Sequence, residues 1–202
     1  KHLNGGLGQN PFNPAMIGFA VLIVSFPAQM SRWAAPLFLA QPDLDALAQV
    51  SYIFSGHLPI AFDAVASATP LDTVKTGLLQ GLGLTQALTA PALQAKASLW
   101  INLAYLAGGL YLLIARVIPW QLPAAFLGAL LAMSGLMHLV DANLYAAPLF
   151  HLGSGAAMLG AFFIITDPVS SPTTPRGRWI FAGLVGLTVY LIRTWGGYPD
   201  GV

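Results

Sequence analysis

The chain is defined first by what it lacks. Cysteine and glutamate are absent from its 202 residues, and only 7% of those residues are charged. Zero cysteine excludes disulfides, thiolate metal centres, iron–sulfur ligation and a cysteine nucleophile. An ordinary soluble domain is roughly 25% charged, so a water-facing surface cannot be built from this composition. Eight basic residues, dispersed at a net charge of +1, leave no patch able to neutralise a run of phosphates, which argues against nucleic-acid binding. There is no Gly-rich strand–helix fingerprint for a dinucleotide. The first apolar stretch also lacks the charged leader and cleavage site of a signal peptide. The chain is expected to be a segment of a longer subunit.

What is present is apolar. The hydrophobic fraction is 56% and the mean hydropathy is +0.71, the composition of an all-α integral membrane protein. Charge-poor runs locate about five expected transmembrane helices: Pro14–Met30, Ala97–Ala115, Pro123–Val140, Ala147–Thr166 and Arg178–Thr194. Each is near the ~20 residues that a spanning helix needs, the first and last only just. Arg178 and Arg193 are expected to snorkel outward from the two ends of the last run. Residues 31–96 are the exception, with four of the seven acids (Asp43, Asp45, Asp63, Asp72), Lys75, Lys96 and five prolines. This stretch reads as one long extramembrane loop, with a short interfacial helix over Thr85–Leu93, within a single membrane domain spanning 1–202.

Alternating spans put Lys1, Arg116, Arg176 and Arg178 on one side and Arg32, Lys75, Lys96 and Arg193 on the other. Charges in a long segment count less towards orientation, so the loop is expected outside. Gly5 to Pro14 and Gly196 to Val202 are similar Gly/Pro-interrupted segments. Such interruption at corresponding points of two halves marks the discontinuous helices of inverted-repeat, transporter-like folds. Two ordinary helix-start turns explain the same residues, and both readings stay open.

The most informative stretch is Asp63 to Thr73. Thr69-Pro70-Leu71-Asp72 reads as a capping box with Pro at the first helical position, and the helix is expected to continue through Val74, Lys75 and Leu78. On this reading Thr69 is a cap. The same geometry suits an anion, because a helix N-terminus presents unpaired N–H groups and the positive end of the dipole. A phosphoryl group on Thr69 would be well placed, with Lys75 in reach and Asp72 opposing.

These residues bring the chain to a family. It resembles the D subunits of Rnf ion-translocating electron-transport complexes, and more distantly the B subunits of the sodium-pumping NADH:quinone oxidoreductase. The resemblance rests on ordered blocks along the whole chain: Gly-Gly-Leu-Gly-Gln-Asn-Pro-Phe-Asn-Pro-Ala-Met at 5–16 and Ser-Ala-Thr-Pro-Leu-Asp-Thr at 67–73. Then come His-Leu-Gly-Ser-Gly-Ala-Ala-Met-Leu-Gly-Ala-Phe-Phe at 151–163, Thr-Asp-Pro-Val at 166–169 and Arg-Thr-Trp-Gly-Gly-Tyr-Pro-Asp-Gly-Val at 193–202. The resemblance implies that Thr69 carries FMN through a phosphoester made by a separate flavin transferase, with Asp63, Ser67 and Ala68 in the acceptor pattern. Ala64 and Ala66 depart from that pattern, where Gly and Ser or Thr are usual. It further implies a second, non-covalent flavin (riboflavin), partner subunits in the membrane and at its surface, and a bacterial inner-membrane location with the flavin loop on the periplasmic side.

Other polar residues invite two readings each. His151, with Ser154 and Gly155 close by, would help line a flavin or proton path, or be a packing histidine. Gly153, Gly155 and Gly160 would permit close helix approach. Asn10, Asn13 and Asn102 would satisfy broken backbone, bind a second flavin or coordinate an ion. Asp167 is read as structural, balancing Arg176 or Arg178. The tryptophans cluster at span ends, as an interfacial belt does. No metal site and no catalytic residue is expected. The expected function is electron relay through covalent FMN in a ferredoxin:NAD type ion-translocating oxidoreductase. The alternative is a solute or ion channel of the broken-helix repeat type without redox activity.

Overall fold

The computed structural model describes residues 13–30, 33–34, 46–55, 66–89 and 97–197. Asp63, Asn10, most of the Gly/Pro segment at 5–14 and residues 198–202 lie outside them. Asn13 starts the first helix, α1 (Pro14–Ser25), its side chain accepting from the Ala15 N–H at 2.9 Å. Phe26 ends it, because the residue before a proline is pushed out of helical conformation, and α2 (Pro27–Met30) follows. The expected run Pro14–Met30 is therefore broken at Phe26.

Next come β1 (Trp33–Ala34), α3 (Ala46–Ser55) and β2 (Ala66–Ser67), with β1 and β2 pairing antiparallel through Trp33 with Ser67 and Ala34 with Ala66. Then follow α4 (Pro70–Leu79), α5 (Leu84–Leu88), α6 (Ala97–Ile114), α7 (Gln121–Val140), α8 (Pro148–Gly153), α9 (Ala157–Leu159) running into a π-helical turn at Gly160–Ile164, and α10 (Pro175–Trp195). Among the described residues the regular structure is thus helical apart from one short β pair.

Among the described residues one helix, Gln121–Val140, is long and apolar enough to cross a membrane. Helix α1 has 12 residues and α6 has 18. Helix α10 reaches 21 residues but carries Arg176, Arg178 and Arg193. The fourth expected run is corrected outright. Ala147–Thr166 is not a continuous helix but is interrupted at Ser154–Ala156, where Gly155 sits at φ +64°.

The core lies where α7 and α10 meet. Leu122, Phe126 and Leu130 pack with Ala182, Val189 and Tyr190, and Gly186 lets the backbones close up where a Cβ would strike the Phe126 carbonyl. Trp120 stacks edge-on to Trp179 at one end of this pair, and Tyr145 meets Trp195 at the other. The two helices therefore run parallel. Between them and α6 lies the interrupted segment. Phe162 fits against Gly109, Phe163 against Gly108, and Gly153 against Leu99. Segment α8–α9 accordingly runs parallel to α6 and opposite to α7 and α10. Arg116, Arg176 and Arg178 share one end of this bundle, and α4–α5 docks at the other. There Val74 and Leu84 pack on Ala146, with Leu78 and Phe150 alongside. Large apolar side chains face outward around the bundle, Ile114 at 82% exposure and Leu139 at 85%.

Candidate functional site

Thr69 is the N-cap of α4. Its backbone is extended (φ −69°, ψ 161°), and its Oγ1 accepts from the Asp72 N–H at 3.2 Å. Pro70 supplies a helical φ and no N–H, and the Thr69 carbonyl accepts from Thr73 at 2.9 Å. The cap predicted from sequence is in place. Thr69 is half-buried and Ala68 exposed, while Ser67 holds the end of β2 opposite Trp33. The Leu71 N–H has no intrahelical acceptor and lies beside the cap. An ester group on Thr69 would sit at the positive end of the helix, with the Asp72 carboxylate in the first turn as a repelling neighbour.

Lys75 is directed elsewhere. Its ammonium donates to the carbonyl of Arg193 at 3.4 Å and to that of Gly196, at the end of α10. Burial there pushes its pKa down from the usual lysine range, and the charge of Asp72 partly offsets this. The Lys75 ammonium, expected within reach of a phosphoryl on Thr69, is thus engaged at the end of α10.

Below α4 the helix interruption gathers a set of buried polar groups. Gly155 lies under Leu71, so that a Cβ there would come within 2.7 Å of the leucine methyl. Asn102, 3% exposed, donates to the carbonyls of Gly153 at 3.2 Å and Gly155 at 3.0 Å, and to Ser98 within its own helix at 2.9 Å. Its carbonyl oxygen accepts from Met158 at 3.4 Å. Of the three roles open to Asn102, the contacts are those of satisfying broken backbone. Asn13 likewise serves a helix start.

Arg193 corrects another expectation. Instead of snorkelling outward it is 3% exposed, and its Nη1 donates to the His151 carbonyl at 2.7 Å. The cause is positional: Ala182, Gly186, Val189 and Arg193 form one buried stripe of α10, which turns the guanidinium onto the interrupted segment. His151 is 7% exposed with its ring edge-on to Tyr190 at 5.1 Å, and its Nδ1 has no hydrogen-bond partner among the described residues. Ser154 is also buried. Leu71 and Arg193 both meet Gly155, and Arg193 also meets the His151 carbonyl, so these four residues lie together, with Thr69 two residues before Leu71 in the chain.

Asp167 accepts from the Ser170 N–H at 3.2 Å and from its hydroxyl at 2.8 Å, while Arg178 donates to the Pro172 carbonyl at 3.1 Å. This is the structural role expected, filled by serine instead of arginine. Sequence reasoning missed Leu71 and Tyr190, whose importance is tertiary. The stripe 182–186–189–193 was the available signal for a buried Arg193. Among the described residues no group of three or more His, Asp or Glu side chains could hold a metal ion.

A family model described as "NQR2, RnfD, RnfE family" matches residues 1–202. The chain is 49% identical to the D subunit of the ion-translocating oxidoreductase complex of Vibrio vulnificus (strain YJ016), over 100% of this chain and 62% of that one. The protein of the same name from Aeromonas hydrophila is 49% identical over 99% of this chain and 61% of its own length. That from Salmonella typhi is 49% identical over 100% and 61%. The chain therefore spans about three fifths of the curated relatives that it matches.

Proposed function

The chain belongs to the NQR2, RnfD, RnfE family, a family of membrane proteins, and from that membership we propose that it is the larger part of a flavin-bearing subunit of an ion-translocating oxidoreductase complex. Its relatives are named as D subunits of such a complex. The observation that carries the reading is the place of Thr69: a half-buried hydroxyl at the N-terminus of a helix whose Leu71 packs on Gly155 at the interruption.

Thr69 would hold FMN by its phosphate, and FMN bound there supplies one- and two-electron transfer. The protein's own part is placement. An ester on the Thr69 hydroxyl would be held at the N-terminus of α4, at the positive end of its dipole. The packing of Val74 and Leu84 on Ala146 keeps α4 against the bundle, so the tethered group remains at a high fixed local concentration. The partners are the other subunits of the complex and the flavin transferase that makes the ester, and the bilayer surrounds the bundle. The chain is multi-pass in a bacterial inner membrane. Arg116, Arg176 and Arg178 mark the cytoplasmic end by the positive-inside rule, which puts α4 on the periplasmic side. A second, non-covalent flavin belongs to this reading without an assigned set of residues. The channel reading has the interruption in its favour, but side chains of Asn102 and Arg193 fill that break.

The test is the intact mass of the full-length subunit, denatured after co-expression with a flavin transferase, with in-gel flavin fluorescence alongside. The wild type is expected to gain one FMN less water. Thr69→Ala and Thr69→Asp are both expected to lose it, and only Thr69→Asp keeps the cap. An unmodified wild-type chain under these conditions overturns the tether.

A further inference from the structure

We propose that Lys75 is a positioning residue: by donating to carbonyls at the end of α10, it sets where Thr69 stands against the membrane core. The inference rests on the reading of Thr69 as the flavin-bearing residue.

Helix α4 docks through Leu71, Val74, Lys75 and Leu78, residues spaced to share one face. Leu71 and Val74 are each 5% exposed, and Leu78 packs beside Val74 and Leu84. Lys75 is the polar member of an otherwise apolar face. Apolar contact is non-directional, so it holds the helix down without fixing its rotation or its axial position. A hydrogen bond is directional. The Lys75 ammonium donates to the carbonyls of Arg193 and Gly196, 118 and 121 residues away in sequence. The last carbonyls of a helix have no intrahelical donor and carry the negative end of its dipole, so an ammonium suits them.

The second contact is a steric stop: Leu71, one turn earlier on the same face, lies against Gly155, where any Cβ would collide, and this limits how deep that end of the helix sits. Two contacts one turn apart define the axis of a short helix. Thr69 immediately precedes α4, so its place follows from them. A lysine that merely solvated the outer face would instead point away from the bundle.

The experiment uses the purified complex with full-length subunit, matured with the flavin transferase, carrying Lys75→Met or Lys75→Arg. Intact mass reports attachment separately, and FMN is expected on Thr69 in both variants. In Lys75→Met the flavin fluorescence anisotropy should fall, and single-turnover reduction of the flavin should slow by about tenfold, the scale of a small misplacement. Lys75→Arg, which keeps charge and donors, should restore both. Lys75→Met with wild-type anisotropy and rate overturns the proposal, and so does Lys75→Arg as impaired as Lys75→Met. Where Lys75→Met does not accumulate, Lys75→Gln takes its place with the same expectations. If the wild type itself carries no FMN, the tether reading fails by mass. Amide hydrogen exchange over residues 70–79 then decides the positioning claim alone. Faster exchange in Lys75→Met, rescued by Lys75→Arg, supports it, and unchanged exchange overturns it.

Discussion

A single carboxamide, Asn102, meets two carbonyls and one N–H of the interrupted segment while also bonding its own helix. In lipid each of those backbone groups would otherwise lack a partner. Asn102→Leu keeps the volume and removes every bond. It is expected to lower stability by roughly 1–3 kcal/mol for each buried group left unsatisfied, read as a lower thermal midpoint in detergent. FMN on Thr69 should remain, since α4 is held by other contacts. At Thr69 the cap and the tether separate by variant. Thr69→Ala should cost about 1 kcal/mol for the cap, and Thr69→Asp should recover most of it while staying free of flavin.

At the scale of elements, close approach depends on particular glycines. A Cβ at Gly109 would clash with the Phe162 ring at its Cγ, whereas one at Gly128 would meet nothing within 4 Å. Gly109→Ala is therefore expected to destabilise by ~1–3 kcal/mol, the usual cost of overpacking, and Gly128→Ala to be neutral. A smaller side chain relieves the clash, so Gly109→Ala combined with Phe162→Leu should recover part of the loss in a double-mutant cycle. Local signals made α4 readable from sequence: Thr69, Pro70 and Asp72 specify a helix start among themselves. They also made α7 readable, as a charge-poor run closed by Asp141. The break at Ser154–Ala156 was not readable. Gly153, Gly155 and Gly160 look the same whether they serve close packing or a left-handed turn, and the residues that stabilise the break come from α6 and α10.

For the whole molecule, composition alone gave the membrane class, and the ordered motifs gave the family. Hydropathy did not give the burial of Arg193. It treats a residue near a helix end as free to reach water, while the stripe through Ala182, Gly186 and Val189 directs Arg193 inward. Alternation of the runs did put Arg116, Arg176 and Arg178 together, and they share the end of the bundle that carries Trp120 and Trp179. Cysteine is absent from the chain, so single cysteines at Arg116 and Thr89 in the full-length subunit, freed of any other cysteine, can report the side directly. Membrane-impermeant maleimide added to intact cells is expected to label Thr89→Cys and spare Arg116→Cys.

The contact between Arg193 and the His151 carbonyl also has a meaning in time. A ribosome delivers residues 148–164 to the membrane before α10 has been made. Until Arg193 and Tyr190 emerge, the interrupted segment lacks the guanidinium and the aromatic ring that enclose His151. The segment therefore waits during synthesis in a provisional state and is settled by a later part of the same chain. A nascent subunit arrested before Pro175 should leave a cysteine at Ser154 open to an aqueous thiol reagent, and one arrested well beyond Trp195 should protect it. The break is closed by residues that follow it in the chain.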